Sequence, residues 1–272
     1  MNDILKKIIQ FADEHEDIRA CLLTGSRTNS NITPDIYQDY DVIMLTNTPD
    51  YYLHDHRWVH TFGDLVMYQH NIIDLNKHIF LLLYQEQFRI DMTFVSISRL
   101  SEVIQDSLLV KLLDKDGMIP NLGVATEKNY YVKKPTEQEF QKAVNEFFWC
   151  LNNVAKGIKR DELIYVKTMF DTIVRKPLIE VICWYIGCLY DFQVNLGAYG
   201  RFIKRYLPFS LYELLEETYV GKNYEDIWGA ILTSCRLMRI TGTFVAEKLG
   251  YQYPLQDDIN MQKYLEKIKN TH

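Results

Sequence analysis

Short apolar runs separated by polar breaks dominate the first half of the chain, and their lengths are typical of β-strands. An amphipathic segment comes first: Ile4, Leu5, Ile8 and Ile9 recur at helical spacing and predict a helix over 2–14. Strands are predicted over 18–24, 37–45, 65–69, 79–84, 88–95 and 108–113, with a short helix over 26–31. The consecutive apolar residues of the first strand indicate that it is covered on both faces.

The second half has a helical period instead. Thr136 followed by Glu139 is typical of a helix N-terminus, and Phe140, Val144 and Phe147 then recur at helical spacing. Further helices are predicted over 161–190, 198–205, 210–219, 224–249 and 257–269. Pro177 is expected to kink or restart the first of these, because proline lacks a backbone N–H.

Between the two halves, residues 118–135 lose their periodicity and include Pro120, Gly123 and Pro135, which is typical of a connection between domains. The sequence therefore predicts an α+β protein. An N-terminal domain over 1–134 is expected to hold a mixed sheet flanked by helices, and a domain over 135–272 is expected to be a helical bundle.

Composition excludes several classes of function. A chain of 272 residues with 47% hydrophobic residues forms an ordinary globular core. A net charge of −6 argues against a protein whose main partner is nucleic acid. No apolar run reaches the length of about 18 residues expected of a membrane span. The five cysteines are scattered, as in a reduced protein, so a cytoplasmic location is expected.

Candidate chemistry lies at the ends of two predicted strands. Gly25 and Ser26 follow the first strand, and Asp39 and Asp41 open the second. Because side chains alternate along a strand, both aspartates are expected to point the same way. Asp91 lies in a similar apolar context. Carboxylates are the ligands that Mg²⁺ prefers, so the three acids predict a site for two Mg²⁺ ions and a nucleoside triphosphate.

Each residue has a proposed role. Gly25 and Ser26 are expected to hold the β- and γ-phosphates, and Arg27 is a candidate for a further phosphate contact. Asp91 is interpreted as a metal ligand, as the proton acceptor, or as both. Alone, a Gly-Ser pair after a strand is more often a plain turn, and an Asp-x-Asp pair is more often a solvated strand edge. The order in which these motifs occur favours the site.

These segments also carry a family resemblance. The sequences LTGSRTN at 23–29, QDYD at 38–41 and RIDMT at 89–93 are similar to motifs of the DNA polymerase β-type nucleotidyltransferase superfamily. The chain more narrowly resembles the aminoglycoside 6-adenylyltransferases, through VKKPT at 132–136, NEFFW at 145–149, AKGIKRDE at 155–162 and VAEKLGYQYP at 245–254. It departs from the family at Thr28, where alanine is usual, and at Lys159.

The resemblance implies transfer of AMP from Mg-ATP to a hydroxyl of streptomycin, which releases pyrophosphate and inactivates the antibiotic. From the charge and the apolar run lengths we expect no nucleic-acid or membrane partner, and either a monomer or a homodimer is expected. The resemblance also implies a helical second domain that closes over nucleotide and drug. Two alternatives stay open: nucleotidyl transfer to a protein or RNA hydroxyl, and a non-catalytic nucleotide-binding module of the same fold.

Residues for the drug are sought in the helical domain, because carboxylates and aromatic faces bind the guanidinium groups of streptomycin. The candidates are Glu146, Trp149, Asp161, Glu162, Asp171 and Trp184. Lys156 is favoured over Lys167 as a triphosphate contact, because it lies beside Gly157 near a predicted helix end. His54, His56 and His60 resemble a metal-binding group, but their neighbours favour a surface helix and loop.

Overall fold

The structure is a computed structural model that describes residues 3–271, so the predicted helix start at position 2 lies outside the described residues. The chain divides into two compact units, and the boundary falls between Asn129 and Tyr130. Within the described residues, none of the helices combines the length and the apolar character needed to cross a membrane.

The first unit contains the sheet. Its strands are β1 Ile18–Thr24, β2 Tyr40–Thr46, β3 Leu65–Asp74, β4 Lys77–Tyr84, β5 Arg89–Ser96 and β6 Val110–Asp114. Its α-helices are α1 Asp3–Glu14, α2 Tyr51–His54 and α3 Leu100–Val103. Short 3₁₀ turns cover Gly25–Thr28, Arg57–Thr61 and Ile97–Arg99, and another, Lys128–Tyr130, lies at the boundary between the units.

The six strands form one sheet in the order β3-β4-β5-β2-β1-β6. Strands β2 and β5 pair in parallel, whereas the other neighbouring pairs are antiparallel. The predicted mixed sheet is therefore confirmed. The parallel pair lies in the interior of the sheet, where strands from distant parts of the chain meet.

Apolar side chains cover both faces of this sheet. On one face, Ile8 and Phe11 of α1 join a core that includes Met44 and Phe94, all of them at most 2% exposed. A smaller core on the other face contains Ala20, Leu22, Leu45, Val95, Leu109 and Ile119. Since β1 contributes to both cores, the prediction that it is covered on both faces is confirmed.

The second unit is helical. Its helices are α4 Glu137–Lys159, α5 Leu163–Thr168, α6 Arg175–Leu189, α7 Ile203–Tyr206, α8 Phe209–Glu217, α9 Tyr224–Leu249 and α10 Leu255–Asn270. A π-helical segment, Met169–Val174, joins α5 to α6, and a 3₁₀ turn covers Ala198–Gly200. Helix α9 has the bounds predicted for it, because both its ends carry local signals. Asn223 caps its first turn, and Gly250 adopts the left-handed conformation at its end.

The helix start at Thr136 is also confirmed. The Thr136 side chain accepts a hydrogen bond from the Glu139 backbone N–H, and the Glu139 carboxylate accepts one from the Thr136 backbone. The long predicted helix at 161–190 is interrupted by the π-helical segment. Pro177 lies three residues into α6, directly after the π-helical segment, so the restart expected at this proline coincides with a change of helix type.

Several boundaries in the first unit differ from the prediction; β3, for example, continues to Asp74, past the predicted end at 69. Two of the differences bear on the site. Strand β2 begins at Tyr40 and not at position 37, so Asp39 precedes the strand while Asp41 lies within it. The short helix predicted over 26–31 is a 3₁₀ turn over Gly25–Thr28. In both cases the polar residues that flank the turn form local hydrogen bonds, so they do not extend the strand or the helix.

Candidate active site

The turn after β1 lies directly against an acid of β2. Thr24, the last residue of β1, is the register partner of Asp41. Gly25 follows with a φ of +74°, and a Cβ atom built on it would lie 2.2 Å from the Asp41 Oδ2 atom. Glycine is therefore needed here both for its backbone conformation and for its lack of a side chain.

A later loop is hydrogen-bonded to this turn. The Thr28 hydroxyl lies 2.9 Å from the carbonyl oxygens of both Gly25 and Leu108. The Thr24 hydroxyl donates to the Asp106 carboxylate at 2.9 Å. The bonds to Leu108 and Asp106 fix the turn to a loop that is 80 and 82 residues away in the sequence. The turn is therefore held from outside as well as by the bond between Thr28 and Gly25 within it.

Ser26 and Arg27 occupy the rest of the turn. Ser26 is half-buried, and its backbone carbonyl lies 3.4 Å from the side-chain amide of Gln38. The Arg27 guanidinium donates to the backbone carbonyls of Gln38 at 2.7 Å and Asp39 at 3.0 Å. It also lies over the Tyr40 ring, 3.7 Å from the ring centroid. Arg27 thus fixes the backbone that leads to the first acid.

The parallel pairing of β2 and β5 brings two of the predicted acids together. Asp41 and Asp91 are direct register partners, so they point to the same side of the sheet from adjacent strands. Asp39 lies two residues before Asp41 along the chain, just outside the strand. All three acids are partly buried.

A cation from the chain itself lies among these acids. Arg89 donates to both carboxylate oxygens of Asp91 at 2.6 Å, and one of its guanidinium nitrogens lies 3.7 Å from the Asp39 carboxylate. The hydrogen bonds with Asp91 raise the pKa of the Arg89 guanidinium above its ordinary value. Burial opposes this rise, and the negative charges of Asp91, Asp39 and Asp41 add to it. The cluster therefore already stabilises positive charge.

We tested whether these residues suit the Mg²⁺ that the sequence predicts. The donor set fits, because three carboxylates offer the hard oxygen ligands that Mg²⁺ binds, and they already surround a cation. As the side chains stand, however, no three His, Cys, Asp or Glu residues between positions 3 and 271 form a ready metal-ligand group. Both oxygens of Asp91 are bonded to Arg89.

The histidines at 54, 56 and 60 do not converge. His54 and His60 are exposed, whereas the ring of His56 lies 6.2 Å from that of His70. His70 in turn lies 5.7 Å from the buried His78, whose Nε2 atom is 2.8 Å from the Asp50 carboxylate. The segment is α2 followed by a 3₁₀ turn over Arg57–Thr61, in agreement with the helix and loop that the sequence favours.

In the second unit, an open groove of about 530 Å³ lies between α4 and the π-helical segment with α6. Its lining contains three glutamates, two lysines and one tryptophan: Glu139, Lys142, Ala143, Glu146, Thr172, Ile173, Lys176, Pro177, Glu180 and Trp184. Two of the predicted drug contacts, Glu146 and Trp184, thus share one groove. Trp149, which is 67% exposed, lines a different cavity, bounded by α4 and α10.

Asp171 and Asp161 have structural partners. Asp171 forms ion pairs with Lys167 at 2.9 Å and Arg175 at 3.0 Å, and these pairs lower the pKa of its carboxyl against the opposing effect of burial. Asp161 accepts a hydrogen bond from the Tyr224 hydroxyl at 2.9 Å. Lys156 is exposed on the last turns of α4.

Sequence reasoning missed Arg89, Asp106 and Glu180. Arg89 carried a detectable signal, since residues two apart on a strand share a face and Asp91 was already a candidate. Asp106 and Glu180 carried none, because their positions depend on a loop contact and on helix packing.

The sequence is similar to known proteins over nearly its full length. A family model described as streptomycin adenylyltransferase matches residues 1–268. The chain is 34% identical over 258 residues to the aminoglycoside 6-adenylyltransferase of Campylobacter jejuni, covering 92% of this chain and 90% of that protein. It is 30% identical over 275 residues to the enzyme of the same name from Bacillus subtilis strain 168, covering 98% and 96%.

A solved structure is also similar. The crystal structure of an aminoglycoside 6-adenyltransferase from Bacillus subtilis superposes with a TM-score of 0.52 at 26% sequence identity, covering 98% of both chains. The similarity to known proteins thus includes both units.

Proposed function

This chain belongs to the streptomycin adenylyltransferase family, and we propose that it transfers AMP from Mg-ATP to a hydroxyl of streptomycin, releasing pyrophosphate and inactivating the antibiotic. The observation that carries this proposal is the pairing of Asp41 with Asp91 directly beside the Gly25 turn. It brings carboxylates and a glycine turn to the same end of the adjacent strands β5, β2 and β1, which is the arrangement that nucleotidyl transfer needs.

The acids have the first role in the proposed reaction. Asp39, Asp41 and Asp91 would hold two Mg²⁺ ions. Bound there, Mg²⁺ neutralises phosphate charge and makes a nearby hydroxyl easier to deprotonate. Asp91 lies on the neighbouring strand, so it is the acid we assign to orient the acceptor hydroxyl and to receive its proton.

The turn has the second role. The missing side chain of Gly25 makes room for the Asp41 carboxylate, and we propose that the backbone N–H groups of the turn and the Ser26 hydroxyl donate to the phosphates of ATP. Arg27 supports this arrangement through the carbonyls of Gln38 and Asp39, which keep Asp39 close to the turn. We propose that its charge also favours the triphosphate. Lys156 is proposed as a further phosphate contact.

The drug is assigned to the groove of the second unit. The guanidinium groups of streptomycin suit the carboxylates of Glu146 and Glu180 and the face of Trp184, which line that groove together. A volume of about 530 Å³ is in the range of small-molecule sites. Trp149, Asp161 and Asp171 are weaker proposals, since they lie elsewhere or already have partners.

A coupled assay tests the proposal. Purified protein is incubated with ATP, Mg²⁺ and streptomycin, pyrophosphate release is recorded, and the mass of the drug product is determined. We expect release only when both drug and Mg²⁺ are present, together with a product heavier by one adenylyl group. If pyrophosphate were released only with another aminoglycoside, that drug and not streptomycin would be the substrate.

The same assay separates the alternatives. Transfer to a protein or RNA hydroxyl predicts label from ATP on that acceptor and no drug product. A non-catalytic module predicts ATP binding by calorimetry without turnover of any acceptor. Either result would contradict the proposed activity.

A further inference from the structure

The position of Arg89 within the acid cluster is unusual for a residue with a purely structural role. Arg89 opens β5, and Asp91 lies two residues later on the same face of that strand. Its guanidinium binds both oxygens of Asp91 at 2.6 Å and reaches to 3.7 Å from Asp39. The guanidinium therefore lies between two acids, in the space that an ion shared by them would need.

Electrostatics explains why a cation lies there. Carboxylates that share a site repel one another when all are ionised, so the cluster is stable only if positive charge accompanies it. The one guanidinium offsets part of that repulsion. A divalent ion would offset more of it, but it needs Asp91 oxygens that Arg89 now occupies.

We propose that Arg89 is a resident counter-ion of the metal cluster, which occupies the cation position in the metal-free protein and leaves Asp91 when a divalent ion binds. The inference rests on the proposed use of Mg²⁺. Arg89 has room for this movement, because 40% of its side chain is exposed, compared with 20% for Asp91. A long side chain at the first residue of a strand can turn its charge to solvent without moving the strand.

Two consequences distinguish a counter-ion from a residue that only orients Asp91. Removing the positive charge would let the metal bind without competition, so affinity for the ion would rise. The metal-free protein would become less stable, because the acids would repel one another without compensation, and added metal would restore that stability. A residue that only orients Asp91 would lower metal affinity when removed.

Mn²⁺ is a suitable probe, because its binding to the full-length protein can be counted by electron paramagnetic resonance without any turnover. We expect Arg89→Gln to bind Mn²⁺ about fivefold more tightly or better, as removal of one unit charge at this range allows. We expect Arg89→Lys, which keeps the charge, to bind Mn²⁺ nearly as the wild type does. Without Mn²⁺, Arg89→Gln should have a lower melting temperature than the wild type. Added Mn²⁺ should raise the melting temperature of Arg89→Gln by more than it raises that of the wild type.

Arg99→Gln is the matched control. Arg99 forms a similar two-bond ion pair, at 2.8 Å to each oxygen of Glu102, away from the acid cluster. This variant should leave Mn²⁺ affinity unchanged. Weaker or unchanged Mn²⁺ binding by Arg89→Gln would overturn the inference. If the wild type released no pyrophosphate with streptomycin but the expected changes in Mn²⁺ affinity were observed, the proposed substrate would be rejected. The role of Arg89 would then still be supported.

Discussion

Gly25 lies so close to Asp41 that a Cβ atom at position 25 would be 2.2 Å from the Asp41 Oδ2 atom. The turn and the acid are therefore built as one unit: the backbone that we assign to the phosphates is in contact with a carboxylate that we assign to the metal. This contact leads to the first prediction.

Gly25→Ala should abolish most activity as well as lower stability. Alanine at a φ of +74° costs about 1–2 kcal/mol of unfolding free energy, and its Cβ also displaces Asp41. Gly117→Ala is the control, because Gly117 has a φ of +66° and open space around its Cβ position. Urea unfolding should show a loss in both variants, larger in Gly25→Ala because its Cβ also displaces Asp41, while pyrophosphate release should fall only in Gly25→Ala. Equal activities would contradict the assigned role of the turn.

Asp41→Asn and Asp91→Asn should each reduce pyrophosphate release about a thousandfold, since the loss of a metal-binding carboxylate removes several kcal/mol of transition-state stabilisation. Asp39→Asn is expected to act in the same direction. Circular dichroism should show that all three variants fold. Asp116→Asn serves as a control, because Asp116 pairs with Arg19 at the surface and not with the cluster. Turnover near the wild-type rate in Asp41→Asn would exclude the proposed metal site.

Arg27→Ala should lower turnover about tenfold or more, because the variant leaves the carbonyls of Gln38 and Asp39 without their donor. Arg27→Lys keeps the charge but cannot reach both carbonyls with one planar group. If Arg27 acts mainly by holding Asp39, both variants should lose kcat. If it acts mainly on the triphosphate, the lysine variant should keep most of its affinity for ATP, which the KM for ATP measures.

Glu146→Gln, Glu180→Gln and Trp184→Phe should each weaken streptomycin binding by roughly threefold to fivefold, as expected for exposed contacts with a cation. Higher salt should weaken binding to the wild type more than to the two glutamine variants, because salt screens exposed charges. Isothermal titration without ATP provides the measurement. Glu266→Gln, on the exposed surface of α10, is the control. An unchanged affinity in all three groove variants would place the drug elsewhere.

The native thiols should react slowly. Burial raises the pKa of Cys21 to about 12, and the pKa values of Cys150 and Cys183 rise to about 11, with burial again the main cause. Few thiolates are therefore present near pH 8, and a disulfide reagent should label the five cysteines fully only after denaturation.

The same shifts set a pH dependence. The folded pKa values lie above those of unfolded cysteine, so the native state keeps protons that the unfolded chain releases. The stabilising contribution is complete below the unfolded pKa and decreases as the pH rises through about 9 to 12. Urea unfolding at pH 8 and pH 10 should show this loss, and replacing Cys21 with alanine should reduce the pH-dependent part. Rapid labelling of the native protein at pH 8 would contradict the burial of these thiols.

Much of the fold was predictable because its signals are local. Strand β1 has the bounds that its apolar run predicts, and the start of α4 follows from a capping pair three residues apart. The start of β2 was not predictable to the residue. Alternation alone extended it to position 37, whereas the structure begins it at Tyr40, after the backbone that Arg27 holds.

The candidate site was predictable in its residue types but not in its assembly. Local pattern was enough to place Asp41 and Asp91 each in an apolar strand, because a period of two and a run of β-favouring residues are read from neighbouring positions. The pairing of the two acids in register, the contact of Gly25 with one of them and the position of Arg89 among the acids followed from the folded chain alone. Register depends on which distant strands pair and bury their faces together, and no short stretch of sequence carries that information.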